Sequence, residues 1–370
     1  MVSEQQHERF MRQALVLARK GVGRTSPNPA VGCVVVRDGV VVGTGWHRRA
    51  GTPHAEVHAL LEAGEQALGS DVYVTLEPCS HFGRTPPCAD ALVAARVGRV
   101  FVGTVDPNPQ VSGSGIARLR DAGIPVVSGL LEDACQEINR PFIKQVTTGL
   151  PYVILKSAMT LDGKTATASG DSRWVTGEPA RRHVHRLRAI SDVIMVGVGT
   201  VIADDPQLTS RIPGGRDPLR VVVDSSLRLP LTSRLLGLQS QAATLLATVS
   251  QDAEKVARLR DRGAEVLVCA ERAGRVDLHD LLARLGGRGV QSILLEGGAE
   301  LAGAMLRQQL IDRCLFFYAP KLVGGEGFGL FCGAGADRMA DAVPLQRIGI
   351  RRIGADILVE GEPDYSCLPD

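Results

Sequence analysis

Apolar residues recur at helical spacing over 4–20, at Phe10, Ala14, Leu15, Leu17 and Ala18, and Gly21 and Gly23 follow as stops, so the chain opens on a helix. The run VGCVVV, the turn Arg37-Asp38-Gly39 and the run VVVGTGWH predict a β-hairpin, the Asp-Gly pair supplying the positive φ that a tight turn needs. Periods then alternate: helix 55–67, strand 71–76, a Pro/Gly-rich loop 78–87, helix 88–97, strand 99–104, helix 115–122, a short strand near 125–128 and helix 131–147. Strands alternating with helices imply a layered α/β domain.

The helical pattern ends at Thr147-Thr148-Gly149-Leu150-Pro151 and a fresh β-run, YVILKSAM, begins, which divides the chain into domains of residues 1–149 and 150–370. In the second, strands are expected near 152–158, 192–197, 219–224, 243–248, 264–268, 292–295, 312–319 and 355–360, with helices near 177–189, 252–262, 277–286 and 298–309. That order predicts a mostly parallel sheet flanked by helices, the last strands antiparallel. The length of 370 residues suits two domains.

Hydrophobic residues at 44% and charged residues at 22% exclude a mainly disordered chain. The formal charge, 42 − 40 = +2, provides no field to hold a polynucleotide, and 14 aromatics (2 Trp + 4 Tyr + 8 Phe) leave little for base stacking. No nucleic-acid partner is therefore expected. No apolar run is long enough for a bilayer, and MVSEQQHERF lacks the basic-then-apolar start of a secretory signal, so the expectation is a cytoplasmic protein without membrane contact. Eight cysteines scattered over the chain read as reduced thiols, Cys33 within an apolar strand as a small core residue, and any clustered pair as a metal site.

His54-Ala55-Glu56 stands where the loop after the hairpin meets a helix, strand 71–76 delivers Glu77-Pro78-Cys79, and Cys88 opens the next helix. One imidazole and two thiolates suit tetrahedral zinc, and three protein ligands leave the fourth position to water, which is a catalytic count. Zinc lowers that water's pKa, and Glu56, two residues from His54, can shuttle its proton without binding the metal. His58 shares the helical face of His54 and is a rival ligand. The chemistry this suits is hydrolytic removal of an amino group from an aromatic ring. Two other readings stay open: a deaminase of free nucleosides or nucleic-acid bases, and a non-catalytic protein with structural zinc.

His54-x-Glu56 followed by Pro78-Cys79 and a second cysteine resembles the cytidine/deoxycytidylate deaminase superfamily, in which two residues usually separate the cysteines; here eight do. EPCSHFGRTPPCADAL, with TSPNPAVGCVVV upstream, is similar to the deaminase half of the bifunctional riboflavin-biosynthesis deaminase/reductase family. The resemblance implies that His81 and Arg84 in the enlarged loop face a substrate phosphate and that Asn28 lies near the base.

General motifs fail in the second half. Ala158-Met-Thr-Leu-Asp-Gly163-Lys164-Thr165 nearly spells a phosphate-binding P-loop but lacks its first glycine, and Gly197-Val-Gly199-Thr200 begins a dinucleotide fingerprint whose third glycine is Ile202. Glu296-Gly297-Gly298, between a strand and a helix, permits close backbone approach and an anion at the helix start. In order, KSAMTLDGK, ASGDSRWVTG, GVGTVIADDPQLTSR, LLEGGAELAGAML and YAPKLVGG resemble the reductase half of the same family, which implies a dihydrofolate-reductase-like fold and NADPH. The fold class expected is thus a cytidine-deaminase-like α/β domain followed by a dihydrofolate-reductase-like α/β domain.

Carried over by that resemblance, Ala158, Trp174, Thr200 and Asp204 lie along NADPH, whose phosphates take the Gly297-Gly298 turn. Ser172, Arg188, Leu208, Arg211 and Glu296 face the substrate, and Lys156 on the first strand points into the same cleft. The implied reactions are deamination of 2,5-diamino-6-ribosylamino-4(3H)-pyrimidinone 5′-phosphate and reduction of the ribosyl group of 5-amino-6-(5-phosphoribosylamino)uracil to ribityl. The partners are then phosphorylated pyrimidines, with a homo-oligomer as the family's usual state.

Overall fold

The computed structural model describes residues 3–82, 86–108 and 111–366. The chain divides into two compact units, Met1–Leu150 and Pro151–Asp370.

The first unit runs α1 (Glu4–Arg19), β1 (Gly32–Arg37), β2 (Val40–Trp46), α2 (Ala55–Ala63), β3 (Asp71–Leu76), α3 (Cys88–Ala94), β4 (Arg99–Thr104), α4 (Ser114–Asp121), β5 (Val126–Ser128), α5 (Glu132–Ile138) and α6 (Arg140–Thr148). Its sheet has the order β2-β1-β3-β4-β5, antiparallel across β1 and parallel from β3 to β5. The valine run of β1 is apolar on both faces because both are covered. Cys33 and Val35 pack with Ala55, Ala59 and Leu92 of α2 and α3, while Val34 and Val36 pack with Phe10, Met11 and Ala14 of α1. Gly43 and Gly45 of β2 let α2 lie flush on the sheet, since a Cβ at either would collide with the backbone of Ala59 or Ala55. That contact fixes the start of α2, where His54 and Glu56 sit.

The helix expected over 131–147 is instead two, broken at Asn139 (φ −109°, ψ 14°). The buried Asn139 side chain takes up the peptide of Ala30, accepting its N–H at 2.8 Å and donating to its carbonyl at 3.0 Å, and Pro141 starts the second helix. The break anchors the segment that carries Asn28.

The second unit runs β6 (Tyr152–Thr160), α7 (Glu178–Ile190), β7 (Val193–Gly197), α8 (Val198–Asp204), β8 (Leu219–Val223), β9 (Thr244–Thr248), α9 (Ala253–Asp261), β10 (Ala264–Val268), the short hairpin β11 (Glu271–Arg272) and β12 (Arg275–Val276), α10 (Leu278–Gly287), β13 (Ser292–Glu296), α11 (Ala299–Arg307), β14 (Arg313–Ala319), β15 (Leu345–Ile353) and β16 (Asp356–Pro363). Nine strands form one sheet in the order β10-β9-β8-β7-β13-β6-β14-β16-β15, parallel except where β16 pairs with β14 and β15. Ile194, Val196, Val222 and Leu246 build the core on one face; Leu315, Phe317 and Leu358 pack under α7 elsewhere on the sheet. Beside the two-residue strands β11 and β12, two longer elements escape the sequence pattern. β15 is an edge strand with Arg347, Arg351 and Arg352 exposed and no apolar alternation, and α8 is too short to show a helical period.

Neither incomplete motif develops into a phosphate loop. After β6 the Asp162 carboxylate accepts the N–H groups of Val323 and Gly324, so Gly163-Lys164-Thr165 leads into no helix. Gly197 passes directly into α8.

Candidate active sites

In the first unit three element boundaries converge. His54 is the N-cap of α2, Cys79 lies three residues beyond β3, and Cys88 is the first residue of α3. Nδ1 of His54 is 3.2 Å from Sγ of Cys88 and 3.6 Å from Sγ of Cys79, and the Cys88 N–H donates to the Cys79 sulfur at 3.3 Å. The three donor atoms lie within 4.8 Å of one another, the spacing of ligands around one small ion, and Nδ1 with two sulfurs is a set that zinc favours. His58 stays outside this cluster among the described residues.

Within the cluster it is Cys79 that is biased toward losing its proton. Hydrogen bonding from Cys88, then from His54, favours the Cys79 thiolate despite its burial, while hydrogen bonding to Cys79 and burial hold Cys88 protonated until a cation competes. His54 is shifted upward, chiefly by its hydrogen bond with Cys79. Glu56, buried in the first turn of α2, has its carboxyl raised to about 7 by desolvation, with His54 opposing; a dication at the cluster would bring it down further. It is thus a carboxyl beside the ligand set but not part of it.

Three supporting residues were not singled out by the sequence. The buried Glu77 carboxylate accepts four backbone N–H bonds at 2.9–3.1 Å, from Asp106, Gly113, Gly115 and Ile116, and so ties the approach to Cys79 to the loop after β4. His47 is buried, receives the Asn28 amide at Nε2 (3.1 Å), faces the Pro53 carbonyl with Nδ1 (3.3 Å) and sets its ring edge-on to His54 at 4.9 Å. Burial lowers its pKa, which keeps Nε2 an acceptor. Asp106 is buried, its carboxyl raised mainly by desolvation, and it interacts electrostatically with His81. A signal existed for Asp106, an Asp-Pro-Asn-Pro loop at the end of a parallel strand. Asn28 is half-buried and His81 exposed; Arg84 lies outside the described residues.

In the second unit Lys156 and Ala158 lie within β6, Glu296 ends β13 and Thr200 follows β7 in α8, and these three strands are neighbours in the order β7-β13-β6. Lys156 and Glu296 are register partners across β6 and β13. The Arg188 guanidinium grips Glu296 with two hydrogen bonds of 2.8 and 2.9 Å, donates a third to the Thr209 carbonyl at 3.2 Å, and Lys156 Nζ lies 3.8 Å from the same carboxylate. All three side chains are only 10–15% exposed, so Arg188 and Glu296 are first of all partners of each other, and Lys156 is no edge-strand lysine. Burial alone would raise the Glu296 carboxyl, but Arg188 and Lys156 outweigh it and hold the group at about 2; Lys156 is lowered by burial.

Beside this triad the ends of β7 and β13 meet. Gly297 (φ +68°) and Gly298 (φ +82°) stand against Thr200 of α8, whose Oγ1 would be 3.2 and 3.3 Å from a Cβ at each. Both glycines use backbone that side chains disfavour, and a Cβ at either would press on Thr200.

The remaining residues surround these two centres unevenly. Ala158 lies near the end of β6, and Ser172 is half-buried in the segment before α7. Trp174 is 63% exposed, so it is not a core aromatic; the Arg181 guanidinium covers its ring at 4.7 Å and Lys321 Nζ donates to its carbonyl at 2.7 Å. Arg173 donates to the Asp204 carbonyl at 2.8 Å. Leu208 (φ +55°) is buried and Arg211 (φ +51°) exposed, both in left-handed backbone.

Comparison with known proteins gives a consistent result over both units. Residues 4–104 match the cytidine and deoxycytidylate deaminase zinc-binding region, and residues 151–359 match the RibD C-terminal domain. The riboflavin biosynthesis protein RibD of Actinobacillus pleuropneumoniae is 46% identical over 352 residues, covering 95% of this chain and 94% of that protein. That of Escherichia coli is 45% identical over 365 residues, covering 95% and 98%. Among solved structures, Acinetobacter baumannii RibD superposes with a TM-score of 0.89 at 41% identity, covering 98% of this chain and 100% of the other. A diaminohydroxyphosphoribosylaminopyrimidine deaminase/5-amino-6-(5-phosphoribosylamino)uracil reductase of Thermotoga maritima gives 0.88 at 36% identity, covering 98% and 99%.

Proposed function

The chain belongs to the RibD family of bifunctional riboflavin-biosynthesis deaminase/reductases, and on that premise we propose how its residues divide the two reactions. It is an enzyme with a zinc-dependent deaminase activity and an NADPH-dependent reductase activity on pyrimidine intermediates of that pathway. The assignment of residues to steps rests most on one observation, the meeting of His54, Cys79 and Cys88 beside a buried, non-ligating Glu56.

In the first unit, His54, Cys79 and Cys88 would hold zinc, which when bound would supply a water of lowered pKa as the nucleophile for the ring carbon bearing the 2-amino group. Glu56 accepts that water's proton on its carboxylate and delivers it to the substrate, so that the amino group leaves as ammonia. Asn28, oriented by His47, contacts the base, and His81 and Arg84 meet the phosphate.

In the second unit, NADPH when bound supplies hydride to C1′ of the ring-opened ribosyl group. Gly297, Gly298 and Thr200 take its phosphates, with Ala158, Trp174 and Asp204 along its length. Lys156, held by Glu296, is placed to provide the proton that the reduction consumes, and Ser172, Leu208 and Arg211 orient the substrate, Arg211 toward its phosphate.

The same reading makes the enzyme a cytoplasmic homo-oligomer acting on small phosphorylated pyrimidines. Among the described residues no helix is long and apolar enough to cross a membrane. One cuvette tests the two reactions. With the diaminopyrimidinone ribosyl phosphate as substrate, ammonia is expected without NADPH, and NADPH absorbance is expected to fall only after ammonia has appeared. Oxidation of NADPH before any ammonia release would reverse the order, and ammonia without oxidation would remove the second assignment.

A further inference from the structure

The loop between α8 and β8 contains a cluster of strained backbone. Asp205, Leu208 and Arg211 have φ of +42°, +55° and +51°, three non-glycine residues in the left-handed region within seven positions. Side chains disfavour this backbone, so a surrounding structure must impose it. Leu208 and Arg211 are two of the residues assigned above to the reductase substrate, and what holds them lies between them and downstream.

Between them sits Ser210, only 2% exposed, and both its polar groups go to one carboxylate: its N–H and its hydroxyl donate to Oδ1 of Asp217 at 2.9 and 3.2 Å. The other oxygen, Oδ2, accepts from the Ser240 hydroxyl at 2.9 Å. Ser240 also accepts a longer bond, 3.4 Å, from the buried Arg220 of β8, whose Nε donates to Thr244 of β9 at 2.9 Å. The carboxylate therefore links a strained loop to two neighbouring parallel strands, β8 and β9. On the other side of Ser210, the Thr209 carbonyl is taken by Arg188 of the buried triad.

We propose that Asp217 is a positioning residue for the reductase step: by clamping Ser210 it holds Leu208 and Arg211 in the backbone conformation with which they receive the substrate. The proposal rests on the assignment of Leu208 and Arg211 to the substrate. Asp217 touches neither substrate nor cofactor in this reading, and its effect passes through the loop. NADPH, whose phosphates belong to the Gly297-Gly298 turn, does not depend on the clamp.

The test uses the full-length enzyme with the deaminated substrate supplied directly. Asp217→Ala is expected to raise the KM for the aminouracil phosphate about tenfold while the KM for NADPH and the rate of ammonia release stay within about twofold of the parent. Asp217→Asn retains an acceptor for Ser210 and gains a donor for Ser240, and is expected to restore the KM to within about threefold. Ser210→Ala removes the hydroxyl bond but keeps the N–H, and a two- to threefold rise is expected; it decides the matter if Asp217→Ala does not fold. An unchanged KM for the aminouracil phosphate in the folded variants, or an equal loss toward both substrates, overturns the proposal. Arg211→Ala separates it from its premise. If Arg211→Ala leaves the same KM unchanged, the substrate assignment fails; if Arg211→Ala raises it and the Asp217 and Ser210 variants do not, only the clamp fails.

Discussion

Glu56→Gln is expected to reduce ammonia release about 10³-fold while leaving the zinc content of the protein and NADPH oxidation on deaminated substrate unchanged. Glu56 is buried and lies outside the ligand set. Glu56 is 3% exposed at the first turn of the helix that His54 caps, so it lies beside the metal position, yet His54, Cys79 and Cys88 already supply three donors. Glutamine keeps the shape and cannot accept a proton from water. Metal analysis of the purified variant and parallel assays of the two activities check it. Full activity in the variant would revive a structural zinc, and loss of zinc would make Glu56 a ligand. A chelator is expected to act on the same activity alone, because the donors it competes with all belong to the first unit.

That centre is legible in the sequence because each of its parts marks an element boundary. His54 caps a helix, Cys79 ends a strand segment and Cys88 opens a helix, so local pattern places all three before any tertiary contact is known. Glu77 and His47 were not legible, although they lie beside the same motifs. Glu77 acts on backbone amides 29 to 39 residues away, and His47 acts through an Asn 19 residues away. Such links depend on which loops meet, and residue type alone does not encode that.

The second centre shows the same limit more strongly. Arg188 and Glu296 are 108 residues apart and face each other because β13 enters the sheet between β7 and β6. The alternation of strands and helices predicts a parallel sheet but gives no strand order, and without the order the sequence cannot pair a helix arginine with a strand-end glutamate. A run of arginines and histidines on a helix therefore looks like a solvated face. The helix break at Asn139 is a further case: the helical pattern expected over 131–147 is interrupted by a side-chain bond to a peptide 109 residues away.

Glu296→Ala is expected to destabilise the second unit by about 3–5 kcal/mol, because it leaves two cations, Arg188 and Lys156, buried without their shared carboxylate. Calorimetry should show one unfolding transition moved to lower temperature, with ammonia release retained by the first unit. The pH dependence distinguishes lost charge pairing from a packing defect. In the parent, the carboxyl is held at about 2, below its unfolded value of about 4.3, so its contribution is complete above the unfolded value and is lost as the pH falls through about 2. In the variant that acid-side loss disappears. Lys156, already lowered by burial and now without the Glu296 charge that raised it, has a folded pKa below its unfolded one, so the unfolded state binds more protons and stability increases with pH between the two. Glu296→Ala should therefore recover part of its stability as the pH rises toward about 10, whereas a cavity would cost the same at every pH. A flat stability profile in the variant would mean that the triad contributes through packing alone.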